Sequence, residues 1–287
     1  MNQEFLDNMK KLPGLDFDAF MEALSGEVQK ALRINTLKTD GRDVEFKEEK
    51  VPWARHGYYH STEKIGRTWQ NRLGLVYSQD ASAMAPVEIL DPKPGERVLD
   101  LCAAPGGKST QIAQLMQGQG VLVSNEIVSQ RSRILYENIE RLGVANAVVL
   151  NESPDKLEDR FEGYFDKILV DAPCSGEGMF RKDDTAADMW TAETNESCAI
   201  RQRLILNSAV KMLKPGGILV YSTCTFSPVE NEYLITEFLE NHSEMEAKKI
   251  ETDILCDGIP PLTEAKRLYP HIHRGEGHFV AKLRKTG

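Results

Sequence analysis

From Arg97 onward the apolar positions fall into two alternating patterns. Arg97–Leu101, Gly120–Asn125, Ala147–Leu150, Lys167–Asp171 and Gly217–Thr223 are short, nearly unbroken apolar runs. Such runs suit strands covered on both faces of a parallel sheet. Between them, Lys108–Gln117, Gln130–Leu142 and Cys198–Leu213 read as helices. In the last of these Ile200, Leu204, Ala209 and Met212 recur at helical spacing, and Lys214-Pro-Gly-Gly stops it. A further helix, Pro228–Glu240, opens on proline, and a last strand, His278–Leu283, is expected at the sheet's far side. Alternating strand and helix predicts an α/β protein with a doubly wound, mostly parallel sheet.

The first part of the chain is patterned differently. Phe5, Met9 and Leu12 share one helix face, Phe17, Phe20, Met21 and Leu24 another, and Leu12-Pro-Gly-Leu parts them. Leu32-Arg-Ile-Asn-Thr-Leu-Lys38 alternates like a strand, and Trp53, Tyr58 and Tyr59 add aromatics. This is expected to form a small α+β unit over residues 1–75, before the main domain of 76–287. That domain begins with a helix, Ala81–Leu90, and the turn Asp91-Pro-Lys-Pro-Gly95. Arg33, Lys38 and Arg55 are the cations through which the small unit could contact RNA.

Composition narrows the class. At 41% hydrophobic and 28% charged, the 287 residues are those of an ordinary globular protein. No apolar run approaches membrane-spanning length, and Met1–Leu12 lacks the apolar core of a signal peptide. A cytoplasmic location with no membrane partner is the expectation. Five cysteines (102, 174, 198, 224 and 256) without C-x-x-C spacing suggest reduced thiols, with neither a disulfide framework nor a bound metal. A net charge of −9 argues against a uniformly basic nucleic-acid binder, yet Lys266–Gly287 carries six Lys/Arg against one acid. That leaves room for either a local basic face or a merely solvated tail.

Two stretches carry chemistry. Val98-Leu-Asp-Leu-Cys-Ala-Ala-Pro-Gly-Gly-Lys108 is a strand entering a glycine turn and then a helix, whose free N–H groups suit a ligand. It is not a P-loop, because the first glycine of that motif would fall at Ala103. Glu126 ends the next strand about 20 residues on, where a carboxylate binds a ribose diol in nucleotide-type sites. In the second stretch, Lys167-Ile-Leu-Val-Asp-Ala-Pro-Cys174-Ser-Gly-Glu-Gly178, Asp171 and Cys174 fall at a strand's carboxyl end. Cys174 is a candidate nucleophile there, and Cys224 ends the following strand.

Asp100–Lys108, Asp171–Gly178 and Tyr221-Ser-Thr-Cys-Thr225 together resemble the motifs of RNA cytosine-C5 methyltransferases. The resemblance is to the NOL1/NOP2/Sun group and, within it, to the RsmF (YebU) type acting on 16S ribosomal RNA. Leu32–Lys38 and Arg274-Gly-Glu-Gly-His-Phe279 extend it over nearly the whole chain. It implies a Rossmann-like class I methyltransferase domain with S-adenosylmethionine as cofactor. Cys102, Ala103, Ala104, Pro105, Gly106, Gly107 and Lys108 would hold that cofactor and Glu126 its ribose, with Arg131, Ser153, Asp171 and Pro173 completing the contacts. Near the adenine the family often has Asp. Here Asn151-Glu-Ser-Pro154 stands in that place, so either Glu152 or Ser153 could take the role.

The resemblance also divides the two thiols. Cytosine C5 becomes nucleophilic only after a thiolate adds to C6. DNA enzymes of this chemistry attack with the Pro-Cys at the position of Cys174. In the RNA family the residue matching Cys224 attacks, the one matching Cys174 assists release, and Asp171 would bond the base near N3. The target cytosine must be turned out of any helix, with Phe180, Arg181 and Lys182 able to hold the strand. RNA, small-subunit ribosomal RNA in particular, is the expected partner. Transfer RNA is an alternative substrate. A non-catalytic ribosome-assembly factor and a protein or small-molecule methyltransferase are readings of other classes. Members of the group commonly carry a further carboxy-terminal RNA-binding domain, which these 287 residues do not include.

Overall fold

The computed structural model describes residues 2–182, 187 and 190–287. A small antiparallel sheet, in the order β2-β1-β3, joins Gly57–Tyr59, Ala31–Ile34 and Val76–Ser78. Its third strand lies just past residue 75. The main sheet holds β4 (Arg97–Asp100), β5 (Val121–Asn125), β6 (Ala147–Leu150), β7 (Phe165–Asp171) and β8 (Leu213–Thr223). Met245–Lys248 (β9), Cys256–Asp257 (β10), Lys266–Leu268 (β11) and His278–Lys285 (β12) complete it. The order is β10-β11-β12-β8-β7-β4-β5-β6, with β9 also on β12. Strands β4 to β8 pair in parallel, and the later strands pair antiparallel. The chain leaves β4 toward β5 and β6 and returns to β4's other side as β7, so the order reverses between β4 and β7. Crevices at such reversal points, outside the strand carboxyl ends, are where open α/β sheets bind ligands.

Why the strand runs are continuously apolar is visible in the core. Leu99, Ile168, Val170 and Leu219 point to the face covered by the helices Ala192–Met212 and Glu232–Asn241. Their neighbours Val98, Leu169 and Val220 point to the opposite face, packed under Ala85–Leu90 and Gly107–Leu115. Successive side chains alternate across a strand, so burial of both faces keeps the middle of each run apolar and confines polar side chains mostly to its carboxyl end.

Three expectations are corrected. The long helix begins at Ala192, on a Thr191/Thr194 capping box, rather than at Cys198. Ile200 and Leu204 are 60% and 64% exposed, because the inward stripe runs through Ala199, Ile205, Leu206, Ala209 and Met212. Positions 200 and 209 differ by nine residues, which places them on opposite sides of a 3.6-residue helix. The last strand is not terminal in the sheet: β12 lies beside β8, with β11 and β10 beyond it.

The basic run after Lys266 is largely absorbed by pairing. Lys266 meets Asp257 at 2.6 Å, Arg274 meets Glu49 at 2.5 Å, and Lys285 caps the carbonyls of Val210 and Leu213. Arg267 and Glu232 form a fully buried pair at 2.5 Å. Arg267→Met would leave the Glu232 carboxylate buried without its cation. A loss of about 3 kcal/mol is expected, read from the denaturant midpoint.

The first two helices, Gln3–Lys10 and Phe17–Ser25, do not stand apart as an appendage. Phe5 packs edge-on to Phe180 and Trp190, and Phe20 edge-on to Phe226. They thus support the two loops that follow β7 and β8.

Candidate active site

A cavity of about 1040 Å³ opens at the carboxyl ends of β4, β5, β7 and β8. Its wall includes Cys102, Glu126, Ser153, Asp171, Cys174 and Cys224. The sequence places the two thiols at the ends of successive strands, near one pocket. Adjacent strand ends bring Cys174 Sγ and Cys224 Sγ to 3.3 Å.

Asp171 is the electrostatic centre. Its Oδ2 meets Lys108 Nζ at 2.8 Å, while its Oδ1 accepts from Ser222 Oγ at 2.7 Å and lies 3.4 Å from His278 Nε2. Burial alone would raise its carboxyl, but Lys108 and His278 hold it well below the usual carboxylate range. Burial likewise works to lower the Lys108 ammonium, and Asp171 overrides it, so that Lys108 stays charged. The thiols differ. Cys174 is pushed well up, first by its hydrogen bond to Cys224, then by burial and by the charges of Cys224 and Glu230. Cys102 is also pushed up, by burial and by Asp100, Asp171 and Glu126 around it. A thiol held protonated in this way is a poor nucleophile.

On the other side of the cavity, Glu126 is 3% exposed, and its Oε1 accepts from the Val128 N–H at 2.9 Å. Arg131 pairs with Glu126 at 3.4 Å and donates to the Ala104 carbonyl at 3.0 Å. Ser153 faces the cavity, as Asp155 does, whereas Glu152 is turned to Lys156 at 3.3 Å. Pro173 and Ala104 line the wall. The remaining loop residues act from behind it. Gly106 has φ +111°, where a side chain is strained, and a Cβ there would sit 3.2 Å from Leu135. A Cβ on Gly107 would come within 3.1 Å of the Tyr77 ring. Both glycines therefore let the helix pack closely. Ala103 is buried and Pro105 exposed, outside the cavity.

Asp100, beneath the loop, is fully buried. Its Oδ2 accepts from Ser109 at 2.6 Å, and its Oδ1 has no partner. Burial raises its carboxyl to about 7. A carboxyl raised on folding contributes stability that is full below its ordinary value near 4 and is lost as pH rises through about 7. Asp100→Asn should therefore melt higher than the unsubstituted protein above pH 7, with the gap closing toward pH 5. Melting curves that stay parallel across that range would refute the raised carboxyl.

The residues expected on an RNA-facing surface fare differently. Arg33 is 1% exposed and is spent on Gln79, Gln114, Thr110 and the Gly107 carbonyl. Phe180 is 3% exposed, beneath Phe5. Neither has a free face for RNA. In each case an apolar or networked interior claimed a side chain whose type suggested a surface. Lys38 caps the carbonyls of Leu73 and Arg141, and Arg55 pairs with Glu88 and Asp91. Arg181 donates to the Ala23 and Gly275 carbonyls, and Lys182 pairs with Glu276. His278, within the Arg274–Phe279 motif but given no role there, also reaches the site. Only the antiparallel placement of β12 beside β8 delivers it.

The sheet, its reversal point and the paired strand-end thiols define a class of α/β enzymes that bind a nucleotide-like cofactor, and comparison with known proteins narrows it. The family described as 16S rRNA methyltransferase RsmB/F matches residues 87–284, and the N-terminal domain of 16S rRNA methyltransferase RsmF matches 1–81. Ribosomal RNA small subunit methyltransferase F of Vibrio vulnificus is 36% identical over 300 residues, covering 99% of this chain. The chain spans 64% of that relative's length. A crystal structure of a methyltransferase homolog protein from Pyrococcus horikoshii superposes with TM-score 0.86 at 35% identity, covering 99% of this chain and 95% of that one. The structure of NSun6 from Pyrococcus horikoshii with SFG gives 0.89 at 25% identity, covering 100% and 98%. The chain belongs to the 16S rRNA methyltransferase RsmB/F family.

Proposed function

We propose that this protein transfers a methyl group from S-adenosylmethionine to C5 of a cytosine in RNA, with 16S ribosomal RNA as substrate, through a covalent Cys224–C6 adduct. The observation that carries the reading is the pair of thiols 3.3 Å apart, beside an ionised Asp171, on a cavity large enough for a nucleoside cofactor and a base. The residues present suit that cofactor. Buried Glu126 lines the cavity and offers its carboxylate to a ribose diol. Bound there, S-adenosylmethionine would supply an electrophilic methyl group.

The chain's own part follows from its charges. With its thiol held protonated, Cys174 can serve as the donor in the Sγ–Sγ contact, and Cys224 is the attacking group. Its sulfur bonds to C6, and the displaced π electrons make C5 nucleophilic. Once C5 is methylated, its proton passes to solvent water, the C–H electrons re-form the C5–C6 double bond, and Cys224 leaves as a thiolate that the Cys174 thiol can protonate. Asp171 favours a proton at N3, stabilising the charge that develops as the sulfur adds. Lys108 and His278 hold that carboxylate in place. The base must be unstacked to enter, so the target is a loop, a bulge or an unpaired strand. Bisulfite sequencing of RNA from cells with and without the protein tests the assignment. Loss of one or a few 5-methylcytosines in 16S ribosomal RNA is expected, and a loss confined to transfer RNA would overturn the ribosomal substrate.

A further inference from the structure

The two thiol-bearing loops are tied together by a buried polar strut that the mechanism above does not use. Glu230, fully buried after β8, accepts from the Ser175 N–H at 3.1 Å and from Gln202 Nε2 at 2.7 Å, both through Oε2. Its Oε1 accepts from Asn195 Nδ2 at 2.7 Å. The same amide of Asn195 reaches Glu177 Oε1 at 2.9 Å and Ser175 Oγ at 3.0 Å. Glu177 in turn accepts from the Phe226 N–H at 2.8 Å, and Ser175 Oγ lies 2.8 Å from Thr225 Oγ1. Gln202 also donates to the Pro173 carbonyl at 3.0 Å. Every residue flanking Cys174 and Cys224 on their far sides is thus anchored to this strut.

Its composition is unusual for a purely structural device. The donors to Glu230 are all neutral, and among the described residues no cation pairs with it. A buried carboxylate without a counter-ion is costly even when hydrogen-bonded, and an apolar or amide side chain would tie the loops at less cost. What a carboxylate offers beyond an amide is two acceptor oxygens and the capacity for negative charge, placed here on the N–H of the residue after Cys174. We propose that Glu230 is a positioning residue that holds the Cys174 loop against Cys224 and decides which of the two thiols keeps their shared proton. This rests on the two-thiol reading above. A carboxylate bonded to the N–H of the residue next to Cys174 opposes a thiolate on Cys174, which favours Cys174 as the donor and Cys224 as the acceptor of the Sγ–Sγ contact. When Cys224 becomes a thioether in the adduct, it no longer accepts strongly, and Cys174 is freed for the release step. The other charged or titratable groups around the pair are Asp171 and Lys108 from the cavity wall, Tyr221 from β8, Cys198 and Arg201 from the long helix, and Glu177. None of these carboxylates accepts from the backbone beside Cys174 as Glu230 does.

The test reads the proton's location without RNA. The full chain is treated briefly with iodoacetamide at neutral pH, and the alkylated peptides of Cys224 and Cys174 are quantified by mass spectrometry. In the unsubstituted protein Cys224 should react at least about ten times faster than Cys174. Glu230→Gln keeps the shape and removes the charge, and should cut that preference about tenfold. Glu230→Asp keeps the charge one methylene back, and should retain the preference to within about threefold. A Glu230→Gln protein with an unchanged ratio, or a Glu230→Asp protein that loses its preference, overturns the proposal. Should Glu230→Gln fail to melt cooperatively, the Glu230→Asp ratio alone decides. Methyl transfer to RNA by the unsubstituted protein is scored separately, so failure of the proposed activity and failure of this inference remain distinct outcomes.

Discussion

Replacing Cys224 with alanine is expected to abolish methyl transfer to RNA, by about 10⁴-fold or more, in an assay following labelled methyl groups. The size of the effect comes from the chemistry rather than from stability. Without sulfur addition at C6, C5 remains part of an aromatic ring and has no electron pair to offer. The Cys224 side chain sits at the end of β8, where Gly178 donates its N–H to the Cys224 carbonyl at 2.9 Å, so the loop is held through its backbone. Loss of the thiol should leave that contact, and the melting temperature, nearly unchanged. An active Cys224→Ala protein would move the nucleophile to Cys174.

Cys174→Ala should behave differently. Attack by Cys224 remains possible, but the group beside it that assists departure is gone. A protein–RNA adduct stable to denaturing electrophoresis is expected to accumulate, with turnover reduced about 100-fold or more. Alanine at 174 also removes the hydrogen-bond partner of Cys224, which should cost some of the attack rate, so adduct should form more slowly than in the intact enzyme and persist longer. If Cys174→Ala and Cys224→Ala are indistinguishable, in adduct and in turnover, the division of roles is wrong.

Much of the parallel sheet was legible in the sequence because its strands are buried on both faces. Ala147–Leu150 is matched residue for residue, and β4, β5, β7 and β8 fall within a few positions of their apolar runs. Local composition says less where a side chain's partner comes from far away. Arg33 has the type of an RNA-contacting residue but is consumed by Gln79, Gln114 and Thr110, which no local pattern could announce. Phe180 stands in a polar loop and is buried only because Phe5 arrives from the other end of the chain. His278, read as the start of the last strand, reaches Asp171 because that strand lies beside β8. The site was thus readable in its motifs, which concentrate glycine, proline, cysteine and acid, and unreadable in the parts assembled by tertiary contact.

The packing of Phe5 and Phe20 against Phe180, Trp190 and Phe226 has a bearing on how the protein comes into being. Phe5 meets partners roughly 175 to 185 residues later in the chain, and Phe20 one about 206 residues later. Until then two apolar helices have nothing to cover them. Contacts of such long sequence separation slow folding and prolong exposure of sticky surface. Competence of the thiol loops should therefore be gained late in folding and together with the docking of these two helices.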